Sequence, residues 1–189
     1  MKVTQQEEIL DIVDQNDEVI TSMPRSEVYA QKLFSQMRSV WLLMKNSKGE
    51  LWIPRRALDR KILPGYLDGS VVGHVQAGET YEQALARETK EEVGLDINLV
   101  SYKLLGKLTP HEHQTFCFAS VYECVIDQAP VNWSREEYSE WSWVTSDQLV
   151  KNYQQGEKMK DTLLVILQNF YGHKDEIKNI GIISTTPAE

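Results

Sequence analysis

The chain has little cysteine, no long apolar run and a shortage of positive charge, and each shortage excludes something. Only Cys117 and Cys124 are present, seven apart in an apparent strand. Alternation sends them to opposite faces, which predicts two buried free thiols and no disulfide framework. The longest apolar runs, such as that from Val40 to Met44, are far too short to cross a bilayer, so no membrane partner is expected. The first residues, MKVTQQEEIL, turn acidic early and lack the apolar core and small-residue cleavage site of a secretory signal. A cytoplasmic protein is therefore expected. Lys and Arg number 20 against 28 Asp and Glu, a formal net charge of -8. That balance argues against a nucleic-acid polymer as partner, because such affinity comes mainly from cations neutralising phosphates. Any phosphate chemistry must be local, carried by a metal ion or a small basic patch.

What remains is ordinary for a globular protein: 189 residues, 41% hydrophobic and 25% charged, enough for one domain with its own core. No repeat, low-complexity tract or interdomain linker interrupts it. Residues 1–37 read as a polar, helix-prone amino-terminal extension, with a break at Met23-Pro24, a short strand at Glu18 to Thr21 and a second helix in RSEVYAQKLF. Residues 38–155 read as the domain core, and residues 156–189 as a carboxyl-terminal helix and tail packed on the same domain.

Within the core, SVWLLMK (Ser39 to Lys45) and ELWIP (Glu50 to Pro54) flank the turn NSKG and predict a hairpin. RRALDRKILPGYLDGS follows as a long irregular loop, of the kind that often carries function. Ser70 to Val75 reads as a strand. Thr80 with Gln83 matches a capping box, and Gly94 a helix C-cap, so a helix is predicted between them. Further strands are expected at Ile97 to Gly106, Thr115 to Ile126 and Ser139 to Val144, and helices at Ser146 to Asn152 and Glu157 to Phe170. The closing IGIISTTPAE reads as a short strand with a frayed tail. Strands and helices mixed in this order predict an α/β or α+β sandwich.

The helix from Thr80 to Gly94 holds an anomaly. At about 100° per residue, Glu88, Glu91 and Glu92 fall on the same side as Tyr81 and Leu85, the side the apolar residues mark as inward. Acids so placed either emerge into water as the helix leaves the core or require a cation among them. Clustered carboxylates suit hard divalent ions, Mg²⁺ or Mn²⁺, better than Zn²⁺. Arg87 stands one turn from Glu91 and can pair with it.

The spacing is more specific than the charge. Gly73, five residues, Glu79, seven residues, Arg87-Glu88, two residues, Glu91-Glu92, one residue, Gly94 and Leu95 resembles the Nudix box at every charged and glycine position. Thr89 departs from it, standing where the family usually has an aliphatic residue. The resemblance implies a Nudix α/β/α sandwich with a mixed sheet and metal coordination by Glu88, Glu91 and Glu92. It gives Arg87 and Glu79 the task of organising loop and helix, and either Glu88 or Glu91 the activation of water. It implies a small-molecule diphosphate as substrate, with homodimerisation left open.

The long loop with GHVQAGE further resembles the Nudix proteins akin to isopentenyl-diphosphate isomerase, through the Arg55-Arg56 pair, the Pro64-Gly65 turn and Gly73-His74. By that resemblance His74 is a candidate metal ligand, as are His111 and His113, which an extended HEH segment would turn to one side. Arg55 and Arg56 are candidate phosphate contacts, their guanidinium forks matching phosphate oxygens. Glu140 and Trp143 resemble later acid and aromatic positions, whereas Trp41 and Trp52 are expected in the core. Val72 stands where the isomerases carry a catalytic cysteine, and valine transfers no proton. The expectation is accordingly a metal-dependent diphosphate hydrolase, with isomerase activity or a non-catalytic ligand-sensing module as its rivals.

Overall fold

The computed structural model describes residues 7–177. Strand β1 (Ile9–Val13) and strand β2 (Val19–Pro24) form an antiparallel hairpin, followed by helix α1 (Arg25–Ala30) and a 3-10 turn at Phe34–Gln36. The expected first helix is thus a strand, β1, while the strand expected at Glu18 to Thr21 is present as β2. ILDIV supplies β-branched residues, and the Asp- and Asn-rich stretch after it makes the turn, with Asp17 in the left-handed region at φ 66°. The expected second helix is present, shortened to Arg25–Ala30.

The central sheet holds β3 (Arg38–Lys45), β4 (Leu51–Arg56), β5 (Val71–His74), β6 (Tyr102–Leu108), β7 (Phe118–Val125) and β8 (Tyr138–Val144). Its order is β6-β7-β3-β4-β8, with β5 also paired to β3. β3 runs parallel to β7 along its whole length, from Arg38↔Phe118 to Lys45↔Val125, and the other pairings are antiparallel. The predicted β3-β4 hairpin closes only at Lys45↔Leu51. Beyond that pair the strands part, because β5 takes the edge of β3 from Ser39 to Leu42 and β4 turns to β8. The long loop of residues 57–70 bridges the fork.

A strand buried on both faces reads as a continuous apolar run, and β3 is one. Val40, Leu42 and Met44 pack toward helix α2 (Tyr81–Val93), meeting Ala84, Leu85 and Val93. Trp41 and Leu43 join the opposite core, with Leu149 and Val150 of α4 (Ser146–Gln154) and Leu163 to Leu167 of α5 (Asp161–Phe170). Helices on both faces of a mixed sheet make the α/β/α sandwich. Trp41 and Trp52 are both buried. Cys117 and Cys124 are buried free thiols in separate clusters.

Other boundaries moved. Ile97–Leu99 is a 3-10 turn and β6 begins only at Tyr102, while α5 starts at Asp161 after Lys160. The stretch IGIISTTPAE lies outside the described residues. Among those described, no helix is long and apolar enough to cross a membrane.

Thr89 lies wholly inside α2's packed face, and its Oγ1 has no hydrogen-bond partner. A buried polar atom left unsatisfied costs about 1–3 kcal/mol. Thr89→Val, of nearly the same shape, should therefore raise stability to urea by about 1 kcal/mol. An unchanged or lower unfolding midpoint would show that the hydroxyl is satisfied.

Candidate active site

The unit from β5 through α2 is built by short-range contacts. Thr80 accepts from the Gln83 amide at 3.2 Å, and Gln83 Oε1 accepts from the Thr80 amide at 2.8 Å, completing the capping box. Gly94 ends the helix in the left-handed region at φ 69°, where a Cβ is unfavourable. In the turn between strand and helix, Glu79 accepts from the Gln76 amide at 2.9 Å and from Arg87 Nε and Nη2 at 2.8 Å each. Burial works to raise the Glu79 carboxyl, but these donors outweigh it and hold the group below its usual range. Arg87 also donates to the His74 carbonyl at 2.9 Å, to Glu88 at 2.7 Å and to Glu91 at 3.4 Å. One guanidinium therefore ties strand, turn and helix together, and supplies part of the positive charge the acid cluster needs.

The three acids lie at different depths. Glu91 is open to solvent, its side chain 61% exposed. Glu88, 9% exposed, is pushed up to about 7 by burial, against the pull of Arg87. Glu92 is buried; its Oε2 accepts from the Tyr138 hydroxyl at 2.5 Å and the Val72 amide at 3.2 Å. Burial, and then the like charge of Glu88, raise its carboxyl well above the ordinary range. Gly73 makes room for this arrangement, since a Cβ there would stand 1.9 Å from Glu88 Cδ.

These donors fit a hard divalent cation. They are carboxylate oxygens only, those of Glu88 and Glu92 in a dry setting that disfavours their charge, beside a glycine that keeps the space open. Among the described residues no three His, Cys, Asp or Glu side chains, Glu88, Glu91 and Glu92 included, converge into a set that could hold a metal ion by itself. Mg²⁺ seldom needs one, because it keeps several waters and takes few carboxylates.

The other sequence candidates have partners of their own. HEH is not extended: Thr109 caps helix α3 (Pro110–His113), so residues two apart point away from each other. His111 Nε2 hydrogen-bonds the Gln15 carbonyl at 3.1 Å, and His113 Nδ1 accepts from the Thr109 amide at 3.1 Å. Neither joins the acids of α2. The His74 ring packs edge-on to Tyr29, with Nδ1 3.7 Å from Glu8, and burial pushes its imidazole down. Arg55 is taken by Glu140 at 2.6 Å, Glu157 at 2.9 and 3.1 Å and the Gly65 carbonyl. Arg56 donates to the Ile62 carbonyl at 3.1 and 3.0 Å and to Asp68 at 3.1 Å. Both arginines thus brace the long loop against β4 and β8.

Sequence reasoning passed over Tyr138, which anchors Glu92, and Asp68 and Lys160, which form an ionic trio with Arg56. Lys160 Nζ lies 2.6 Å from Asp68 and 5.4 Å from the centre of the Trp41 ring. Burial pushes its ammonium down, opposed by Asp68. Nothing local in the sequence pairs residues so far apart.

Fold and motif together define a protein of the Nudix type. A model of the NUDIX domain matches residues 35–164. A Nudix hydrolase of Nostoc, itself uncharacterised, is 44% identical over 166 residues, which span 88% of this chain and 97% of that protein. A Nudix hydrolase of Deinococcus radiodurans is 33% identical over 169 residues, 89% of this chain and 97% of that one. Among solved structures, a Deinococcus radiodurans protein superimposes with a TM-score of 0.82 at 35% identity, covering 87% of this chain and 99% of its own. The chain belongs to the Nudix hydrolase family. Nudix hydrolases act on small-molecule substrates and generally need divalent metal ions.

Proposed function

We propose that this chain is a Mg²⁺- or Mn²⁺-dependent pyrophosphohydrolase that cleaves a nucleoside-diphosphate-linked or other organic diphosphate by water attack on phosphorus. The observation that carries the reading is the set of graded acids on α2, with Gly73 leaving room for the innermost turn of them. Glu88, Glu91 and Glu92 would hold the cation. When bound, it neutralises the diphosphate, polarises its oxygens and makes water a stronger acid. Arg87 and Glu79 keep turn and helix in register, and Tyr138 and the Val72 amide orient Glu92. The proton of the attacking water goes to Glu88 or Glu91, of which Glu91 is the more open to solvent.

A panel of organic diphosphates incubated with Mg²⁺ or Mn²⁺, with products identified, tests the reading. It predicts hydrolysis of at least one, and a loss of about a hundredfold or more in Glu92→Gln, because the cation contributes several kcal/mol to the transition state. No hydrolysis and no cation binding by calorimetry would sink it. A ligand-sensing module would instead show binding that changes in Glu92→Gln without turnover in the parent. The isomerase alternative lacks a proton-transfer group at residue 72, where the Val72 side chain packs against the α5-side core. A product assay with isopentenyl diphosphate decides that case. Residence in the cytoplasm and homodimerisation belong to the same proposal, read out by cell fractionation and light scattering.

A further inference from the structure

The NUDIX domain match begins at residue 35, yet the segment before it reaches into the site. β1 continues as a strand partner of the turn ahead of α2. Leu10 bridges to Gln76, and the Ala77 amide donates to the Ile9 carbonyl at 2.8 Å. At the centre of this contact is Asp11, whose side chain is 6% exposed. Its Oδ2 accepts from Arg38 at 2.9 Å and from the Gly78 amide at 3.0 Å, and its Oδ1 from Ser22 at 2.6 Å. At the hairpin's tip, Asp17 accepts from the Tyr81 hydroxyl and pairs with Lys107.

A buried carboxylate is retained only where its bonds repay its desolvation, and two of those of Asp11 serve its own hairpin and β3. The third does not. Gly78 lies between Gln76 and Glu79, so its amide belongs to the turn from which Glu79 grips Arg87, and Arg87 grips Glu88. We propose that the amino-terminal hairpin is part of the cation-holding apparatus, and that Asp11 is a positioning residue that fixes the Glu88 carboxylate through Gly78, Glu79 and Arg87. This rests on the reading that Glu88, Glu91 and Glu92 hold a divalent cation. The residue acts at a distance and touches neither substrate nor cation, as partners behind the ligands of metal sites do.

The test uses the full chain and Mn²⁺ alone. Asp11→Ala should weaken Mn²⁺ binding, followed by electron paramagnetic resonance, about 10–100-fold. Asp11→Asn, which keeps an oxygen acceptor and the side-chain shape, should weaken it less and remains folded should the alanine variant fail. In both, hydrogen exchange at the Gly78 and Gln76 amides should quicken. Glu123→Gln removes the buried partner of Lys45 and Lys103 on β7, outside the hairpin, the turn and α2, and should bind Mn²⁺ as the parent does. Unchanged Mn²⁺ affinity in both Asp11 variants would overturn the proposal. So would losses in all three variants that simply track their losses of stability. If the parent itself binds no Mn²⁺, the cation reading fails and the inference falls with it; a parent that binds while the Asp11 variants bind equally well refutes the inference alone.

Discussion

Asp68→Ala is expected to destabilise the chain by about 3–5 kcal/mol, the cost of breaking a buried ion pair from one side. The Asp68 side chain is 1% exposed and receives both Arg56 and Lys160. Without it, the buried Arg56 and the half-buried Lys160 are two cations with no acid between them. Lys160 can shed its proton, but Arg56 cannot, and the Ile62 carbonyl alone does not neutralise a guanidinium. The midpoint of urea unfolding should fall sharply with an unchanged dependence on denaturant concentration. A loss below about 1 kcal/mol, the value of an exposed pair, would mean that water reaches the trio. Arg55→Ala breaks contacts at the surface and should cost far less.

Gly73→Ala should have the opposite signature, with binding lost and stability kept. Its Cβ would coincide with the Glu88 carboxyl group, whereas Ala84 and Leu85 on the same helix are fully buried and cannot retreat. The carboxylate must therefore swing out. A displaced ligand is expected to lower Mn²⁺ affinity about 10–100-fold, the range found when groups that orient ligands are removed. Folding should change little, because freeing a buried acid relieves its desolvation while alanine suits a strand better than glycine. Calorimetric titration of Mn²⁺ beside a melting curve checks both halves. Retained affinity would show that Glu88 does not act from its buried position.

What the sequence made legible was whatever is fixed by near neighbours. The capping box at Thr80, the Gly94 terminus and the Arg87 pairing all span eight residues or fewer, and the motif records them as spacing. The same local grammar was present and missed at Thr109-Pro110, a cap followed by proline in the first helical turn, which makes HEH helical. It was missed again after ILDIV, where Asp and Asn mark a turn between strands. Other features had no local trace. Which strand borders β3 depends on residues from three distant segments, so an apparent hairpin opened into a fork. The ion pairs of Arg55 and Arg56 left no trace either, because their acids, Glu157 and Asp68, lie elsewhere in the chain.

The distance between the acids and their partners also sets an order of assembly. Glu92 must wait for Tyr138, and Asp68 for Lys160 at the head of α5. As the chain leaves the ribosome, α2 emerges before Tyr138 exists, with Arg87 already beside Glu88 and Glu91. Docking α2 at that stage would bury Glu92 before its hydroxyl donor is present. Such long-range closure slows folding, since the entropy of a large loop is spent before the contact forms. The region that carries the family's signature is therefore expected to complete its packing only once Tyr138 is in place.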